Sequence, residues 1–248
     1  MEVPKSHPRY RSLLARHKLA EGVREGLVAP QGLIAQGRGE AFDYLLGERT
    51  IPPARRAERA AAAYLILARH PVVSVNGNVA ALAAEDVVRL ARAVPARLEV
   101  NLFYRTETRV RMVAKRLKDG GAQEILGIKP DARIPGLRSK RSLCSRIGIY
   151  SSDVVLVPLE DGDRTKALAD MGKIVLAVDL NPMSRTSMAA TVTIVDELTR
   201  ALPNITSFVR SMKGRTATTE RVVEAFDNDR NLALTFRHIR DRLERLAR

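Results

Sequence analysis

The residues best suited to chemistry gather in one stretch, Asp153 to Thr186, DVVLVPLEDGDRTKALADMGKIVLAVDLNPMSRT. Two uncharged runs rich in β-branched residues, 154–157 and 174–178, read as strands buried on both faces of a parallel sheet. Each is followed by a polar loop. The first holds Glu160, Asp161, Gly162, Asp163, Arg164 and Thr165; the second holds Asp179, Asn181, Ser184, Arg185 and Thr186. In an open α/β sheet, ligands bind beyond the carboxyl ends of the strands. An acidic residue just past such a strand is placed to accept hydrogen bonds from a ribose hydroxyl, and Asp179 stands at that point. The stretch therefore reads as half of a nucleotide site.

A second feature is Gly37-Arg38-Gly39. It is a poor dinucleotide fingerprint, because Phe42 takes the third glycine position and the apolar run before it is only Leu33-Ile34-Ala35. It does offer a glycine-flanked arginine, whose guanidinium can grip phosphate or carboxylate in bidentate fashion. The alternative is an ordinary glycine turn with a surface arginine. Asn76-Gly77-Asn78 follows a third apolar run, 72–75, where either asparagine can bond a ligand, though capping of the next helix accounts for both. Walker A, nucleophile-elbow and kinase signatures are missing. Cys144 stands alone and the four histidines (His7, His17, His70, His238) lack metal-ligand spacing, so neither a disulfide nor a cysteine-based zinc site is expected. A nucleotide enzyme built this way must hold phosphates with arginines, backbone amides and Mg²⁺.

The elements that must position these groups alternate between strand and helix. An N-terminal helix carries Leu13, Leu14, Leu19 and Val23 on one face. An Ala- and Leu-rich helix follows Pro52-Pro53. Strands are expected at 72–75, 98–103, 125–127, 154–157, 174–178 and 191–195, with helices from about Val79, after a Thr106 cap, and after an Asp196 cap. Residues 128–149 form a basic Pro/Gly segment with Arg133, Arg138, Lys140, Arg141 and Arg146, read either as a mobile lid over a polyanion or as a solvated loop. After Gly214 a polar run precedes an amphipathic helix bearing Phe236, Ile239, Leu243 and Leu246. The expected fold is α/β, a doubly wound, mostly parallel, Rossmann-like sheet of about 5–6 strands. A helical N-terminal region belongs to a single nucleotide-binding domain over 1–213, and 214–248 is a helical extension packing on the domain or on a dimer partner.

Composition narrows the classes. The chain has 248 residues, 45% of them hydrophobic, and only 4% aromatic with no tryptophan, so its core is aliphatic. No apolar run is long enough to span a bilayer, and the N-terminus lacks an apolar signal core, which points to a cytoplasmic protein and no membrane partner. The net charge of +14 calls for anionic partners. Nucleic acid is disfavoured, because aromatics interleaved with basic residues are missing and no nucleic-acid signature is present.

Several blocks together resemble the archaeal phosphopantothenate synthetases, or 4-phosphopantoate–β-alanine ligases: HPRYRSLLAR (7–16), GLIAQGRGEAFDYLLGE (32–48), VSVNGNVAAL (73–82), LEVNLFYRTETR (98–109), IYSSDVVLVPLEDGDRT (149–165), VLAVDLNPMSRT (175–186) and ATVTIVDEL (190–198). The chain departs from the family's expected pattern at Gln36 and Ser152. The resemblance implies an AMP-forming ligase of coenzyme A biosynthesis, with ATP, 4-phosphopantoate and β-alanine as substrates, Mg²⁺ accompanying ATP, an acyl-adenylate intermediate and a homodimer. It further implies ATP contacts at Arg16, Arg38, Asp179, Leu180, Asn181, Arg185, Thr186, Glu197 and Leu198. Arg38 is expected at the transferring phosphorus, Asp163 at Mg²⁺ or the amine, and Asn76 and Asn78 at phosphopantoate. ATP and a phosphorylated hydroxy acid together bring about seven negative charges, which suits a basic protein. Three other classes stand beside it: a nicotinamide-dependent oxidoreductase, a nucleic-acid-binding module, and a nucleotide sensor without chemistry.

Overall fold

The computed structural model describes residues 4–248. Seven strands appear there in chain order: β1 (Val72–Val75), β2 (Arg97–Val100), β3 (Ala132–Arg133), β4 (Leu143–Cys144), β5 (Val154–Pro158), β6 (Ile174–Val178) and β7 (Val192–Ile194). Five form one sheet in the order β2-β1-β5-β6-β7, with every neighbouring pair parallel. β3 and β4 form a separate antiparallel pair. The helices are α1 (Tyr10–Arg24), α2 (Pro30–Leu46), α3 (Pro52–Leu67), α4 (Gly77–Ala93), α5 (Glu107–Asp119), α6 (Gly162–Asp170), α7 (Arg185–Ala189), α8 (Leu198–Met212), α9 (Thr216–Glu224) and α10 (Asn228–Leu246). The fold is the expected doubly wound α/β arrangement.

Each sheet strand is apolar on both faces because both faces are covered. Val73, Val75, Leu156, Leu176, Val178 and Ile194 pack with residues of α3, α4, α5 and α8. Their alternates Val72, Val155, Val157, Val175 and Ala177 pack under α6 and the 132–150 segment. The alanines at 57 and 60–63 of α3 are fully buried, and such small side chains let α3 lie close against α8. α9 and α10 also rest on α3. Asn231 donates to the Pro53 carbonyl at 3.1 Å and accepts from Arg56.

Two features of topology place the site. Chain order reverses between β1 and β5, whose connections leave in opposite directions, so the crevice of the sheet opens at their carboxyl ends. The register pairs Pro158 with Val178 and Val178 with Ile194. The loops after β5, β6 and β7 therefore emerge side by side.

Local departures from expectation have local causes. The strand expected at 98–103 ends at Val100, where Asn101 turns its amide to the carbonyls of Arg141 and Leu143. The strand expected at 125–127 is a single bridge, Leu126 to Glu99. Glu197 caps α8, accepting from the Thr199 amide at 2.8 Å. Asp196 was the expected cap, but its carboxylate instead receives Thr50 and Arg200. The polar run after Gly214 is helical, as α9.

Candidate active site

Gly37 and Gly39 lie inside α2, so Gly37-Arg38-Gly39 is neither a turn nor a strand–turn–helix fingerprint. Gly32 and Gly39 serve packing, whereas Gly37 faces open space. A Cβ on Gly32 would sit 2.2 Å from the Asn78 Oδ1, and one on Gly39 would touch Leu180 at 3.4 Å. One end of α2 thus meets the end of β1 and its middle meets the end of β6. Seven residues of helix rise ~10 Å, and two strand spacings are ~9.6 Å. α2 crosses the carboxyl edge of the sheet from β1 over β5 to β6, carrying exposed Arg38 above the β5 and β6 loops.

Beneath it, residues 179–184 wrap around Asp179. The carboxylate accepts from the Asn181 amide at 2.9 Å and the Ser184 hydroxyl at 2.5 Å. Asn181 in turn accepts from the Met183 amide. Burial pushes the Asp179 pKa up, while those hydrogen bonds and the nearby Arg38 charge pull it back. The β5 loop is fastened to this one. Thr186, buried at the start of α7, donates to the Glu160 carbonyl at 2.8 Å. Gly162 lets the two helix starts meet, since a Cβ there would lie 2.2 Å from the Arg185 Cβ. Arg185 and Asp163 are both exposed, 3.7 Å apart. The result is an open mouth with the N-terminus of α6 and an exposed cation–carboxylate pair, a setting suited to phosphates.

On the other side of α2, a cavity of about 260 Å³ is bounded by the start of α1, by Gln36, Glu40 and Asp43 of α2, by Leu180, and by Glu197, Thr199 and Arg200. Arg16 is exposed at its flank and holds Glu40 at 2.8 Å. Burial would raise the Glu40 pKa, but hydrogen bonds from Arg16 and Tyr44 hold it below the usual range. Burial raises the Glu197 pKa against the Thr199 hydrogen bonds. The Leu198 side chain belongs to the core, so only its backbone can face a ligand.

Asn76 and Asn78 are committed to the scaffold. Asn76 caps α4 at the Val79 amide, and its own amide bonds the carbonyls of Pro158 and Leu159. Leu159 has φ +53°, a left-handed backbone that a branched residue adopts at some cost, and the Asn76 amide clamps it. Asn78 donates to the Gly32 carbonyl at 2.9 Å. The crevice wall therefore depends on these asparagines; both side-chain N–H groups of Asn76 and one of Asn78 are already used.

One set of residues escaped sequence reasoning. The Glu160 carboxyl is 2% exposed and lies between two guanidinium groups, Arg164 from α6 and Arg141 from the basic segment. Arg164 also reaches the Ser74 hydroxyl of β1 at 3.2 Å. Burial lowers the Arg141 and Arg164 pKa values to about 10 each. The 128–149 segment is thus pinned at Arg141, whereas Arg133, Arg138, Lys140 and Arg146 are exposed. Only the Glu160–Arg164 spacing of four on a helix start hinted at this cluster. Among the described residues no group of three metal-ligating side chains occurs.

Comparisons with known proteins identify the family. The family model for phosphopantothenate/pantothenate synthetase matches residues 53–242. A 4-phosphopantoate–β-alanine ligase from Thermococcus onnurineus is 55% identical over 100% of this chain and 95% of its own length. The ligase of the same name from Thermococcus kodakarensis is 55% identical with the same coverage. That from Methanosarcina mazei is 54% identical over 99% of this chain and 97% of its own.

Proposed function

Because the chain belongs to the phosphopantothenate/pantothenate synthetase family, we propose that it uses ATP to join 4-phosphopantoate to β-alanine, releasing 4′-phosphopantothenate, AMP and diphosphate. The observation that carries this reading is the convergence of α2, the β5 loop and the β6 loop on one edge of the sheet, with Arg38 near Asp179. The cavity by Leu180 and Glu197 is assigned in this reading to the nucleotide, and the β1 side of α2 to the acid.

A carboxylate does not expel oxide, so it must first gain a better leaving group. One oxygen of the 4-phosphopantoate carboxylate attacks the α-phosphorus of ATP and diphosphate departs. The β-alanine amine then attacks the acyl carbon, AMP leaves, and the ammonium proton passes to solvent or a nearby base. Asp179 takes the ribose hydroxyls. The cavity by Leu180, Glu197 and the Leu198 backbone takes the base, with Arg16 and Asn181 at its edges. Arg185 holds phosphate oxygens beside the α6 N-terminus, and Thr186, whose hydroxyl is spent on the Glu160 carbonyl, offers only its backbone amide. Arg38 neutralises the charge that develops on the transferring phosphorus.

Mg²⁺ enters with ATP as part of the substrate. The donors here suit that, since Asp163 is an exposed carboxylate near the proposed phosphate-binding groups, Asp161 beside it is held by Arg141, and Glu160 is taken up by arginines. Mg²⁺ ordinarily binds one or two carboxylates plus substrate phosphates. Asn76 and Asn78 shape the acid's crevice and, with their remaining acceptor capacity, meet its hydroxyl.

We further propose a cytoplasmic homodimer in which 1–213 form the catalytic unit and 214–248 support it. No helix among the described residues is long and apolar enough to cross a membrane. Exposed Leu33 and Ile34 on α2 and Leu243 and Leu246 on α10 supply apolar surface for a second copy. The decisive assay supplies ATP, 4-phosphopantoate and β-alanine and reads AMP, omitting each in turn. AMP formation that needs the acid but not β-alanine, with product only when all are present, is expected. AMP formation indifferent to the acid would sink the reading.

A further inference from the structure

α3 and α9 border a second open cavity, of about 420 Å³, that shares no residue with the cavity beside Leu180 and Glu197. Helical spacing builds both walls. Positions 56, 59 and 60 fall on one face of α3, and positions 218, 221, 222 and 225 on one face of α9. The floor is apolar, since Ala60 is buried and Val222 and Phe226 are partly buried against the core. Arg56, Arg59 and Arg221 line the cavity, and no carboxylate does. Glu220 and Glu224 of α9 lie outside the lining. Arg56 gives only Nε to Asn231, at 3.5 Å, and Arg221 gives Nε to the Ala217 carbonyl of its own helix at 3.2 Å. Among the described residues none of the three arginines is in an ion pair. Other exposed helical arginines of this chain have a partner in their own helix, as Arg89 has Asp86, Arg111 has Glu107 and Arg240 has Glu244.

Three like charges around one apolar hollow repel one another, and no carboxylate of the lining offsets them. A solvated basic face has no use for a hollow, and an apolar hollow has no use for a ring of cations. An organic anion answers both. Its body covers the floor, and its oxygens meet the guanidinium forks. We propose that this cavity is a second small-molecule site, and that it takes an organic anion with an aromatic or aliphatic body and a terminal phosphate, sulfonate or carboxylate. The body is held by Ala60, Val222, Ala225 and Phe226, and the charge by Arg56, Arg59 and Arg221. An inorganic anion lacks the body and a neutral apolar molecule lacks the charge, so neither is the right ligand. Occupancy here involves none of the residues assigned to ATP or the acid, so the inference stands whether or not the ligase reading does.

The test titrates 8-anilinonaphthalene-1-sulfonate, an aromatic body with one sulfonate, into the full-length protein. Carbon-13 methyl resonances of Ala60, Val222 and Ala225 report this cavity, and those of Leu180 report the other one. The three cavity residues should shift saturably with one shared Kd, whatever Leu180 does. N-phenyl-1-naphthylamine, the same body without the sulfonate, should bind there about 5-fold or more weakly, and inorganic phosphate more weakly still. Arg59→Gln and Arg221→Gln, both at exposed positions, should each weaken the sulfonate about 5-fold or more, with unchanged melting temperature as the folding control. Arg59→Lys keeps the charge without the fork and should lose less. Methyl groups of Ala60, Val222 and Ala225 that stay unmoved overturn the inference. So does equal affinity for the uncharged body, which would leave only an apolar patch, and so does an unchanged Kd in both folded glutamine variants.

Discussion

Glu58 sits in α3 with no exposure, one oxygen accepting from Asn204 at 3.0 Å and the carboxylate of Asp196 beside it. Burial, then Asp196, pushes its pKa from 4.5 up to about 8, against the Asn204 hydrogen bond and the Arg55 charge. The native state therefore binds a proton that the unfolded chain gives up. Stability contributed by protonated Glu58 is complete below pH 4.5 and is lost progressively as pH rises toward 8. Glu58→Gln keeps the shape and removes the titration. It should melt near the wild-type temperature at pH 5 and about 3 °C or more above it at pH 8. Parallel melting curves against pH would refute the shared-proton account. This pair matters to function because Asp196 also holds Arg200, which joins Asp43 of α2 to the start of α8 beside the base cavity. At the site itself, Arg38→Ala should slow acid-dependent ATP–pyrophosphate exchange on the order of 10²–10³-fold. A loss of only a few-fold would remove Arg38 from the transferring phosphorus.

At the scale of elements, the two helix starts α6 and α7 are pressed together at Gly162, while Gly37 in α2 faces open space. Neither has a left-handed φ. Substituting alanine should therefore have opposite effects. Gly162→Ala must push Arg185 and Thr186 away from the β5 loop, raising KM for ATP about 10-fold or more while the buried sheet persists. Gly37→Ala removes a flexible residue from an exposed helix turn and should stabilise by about 0.5–1 kcal/mol, read as a higher melting temperature. Equal KM values for wild type and Gly162→Ala would show that the phosphate loop does not depend on this contact. The basic 128–149 segment belongs to the same scale. Composition alone left it as lid or loop, because charge runs look alike whether solvated or buried. The ion pair from Arg141 to Glu160 connects segments whose pairing no local pattern encodes.

For the whole molecule, the +14 charge is a statement about partners. Part of it lies on exposed arginines such as Arg133, Arg138 and Arg146 of the basic segment, and these raise the local concentration of anions. Raising ionic strength from about 0.05 to 0.5 M should lower kcat/KM for ATP and 4-phosphopantoate several-fold but leave that for zwitterionic β-alanine nearly unchanged. Equal sensitivity of all three substrates would mean that the charge serves another purpose.

Sequence by itself determined the five strands of the main sheet and most helices, since an apolar run bounded by polar loops, an asparagine or threonine cap, or an alanine-rich repeat acts within a few residues. It also placed in the β5 and β6 loops the polar groups proposed here for a nucleotide site. Tertiary structure alone decided the strand order, the passage of α2 over the sheet edge, and the burial of Arg164. The ties that set these join residues far apart in the chain, 90 positions for Arg164 and Ser74 and 157 for Arg200 and Asp43. Such contacts depend on how packed layers close, a property of the whole fold that periodicity within one segment cannot express.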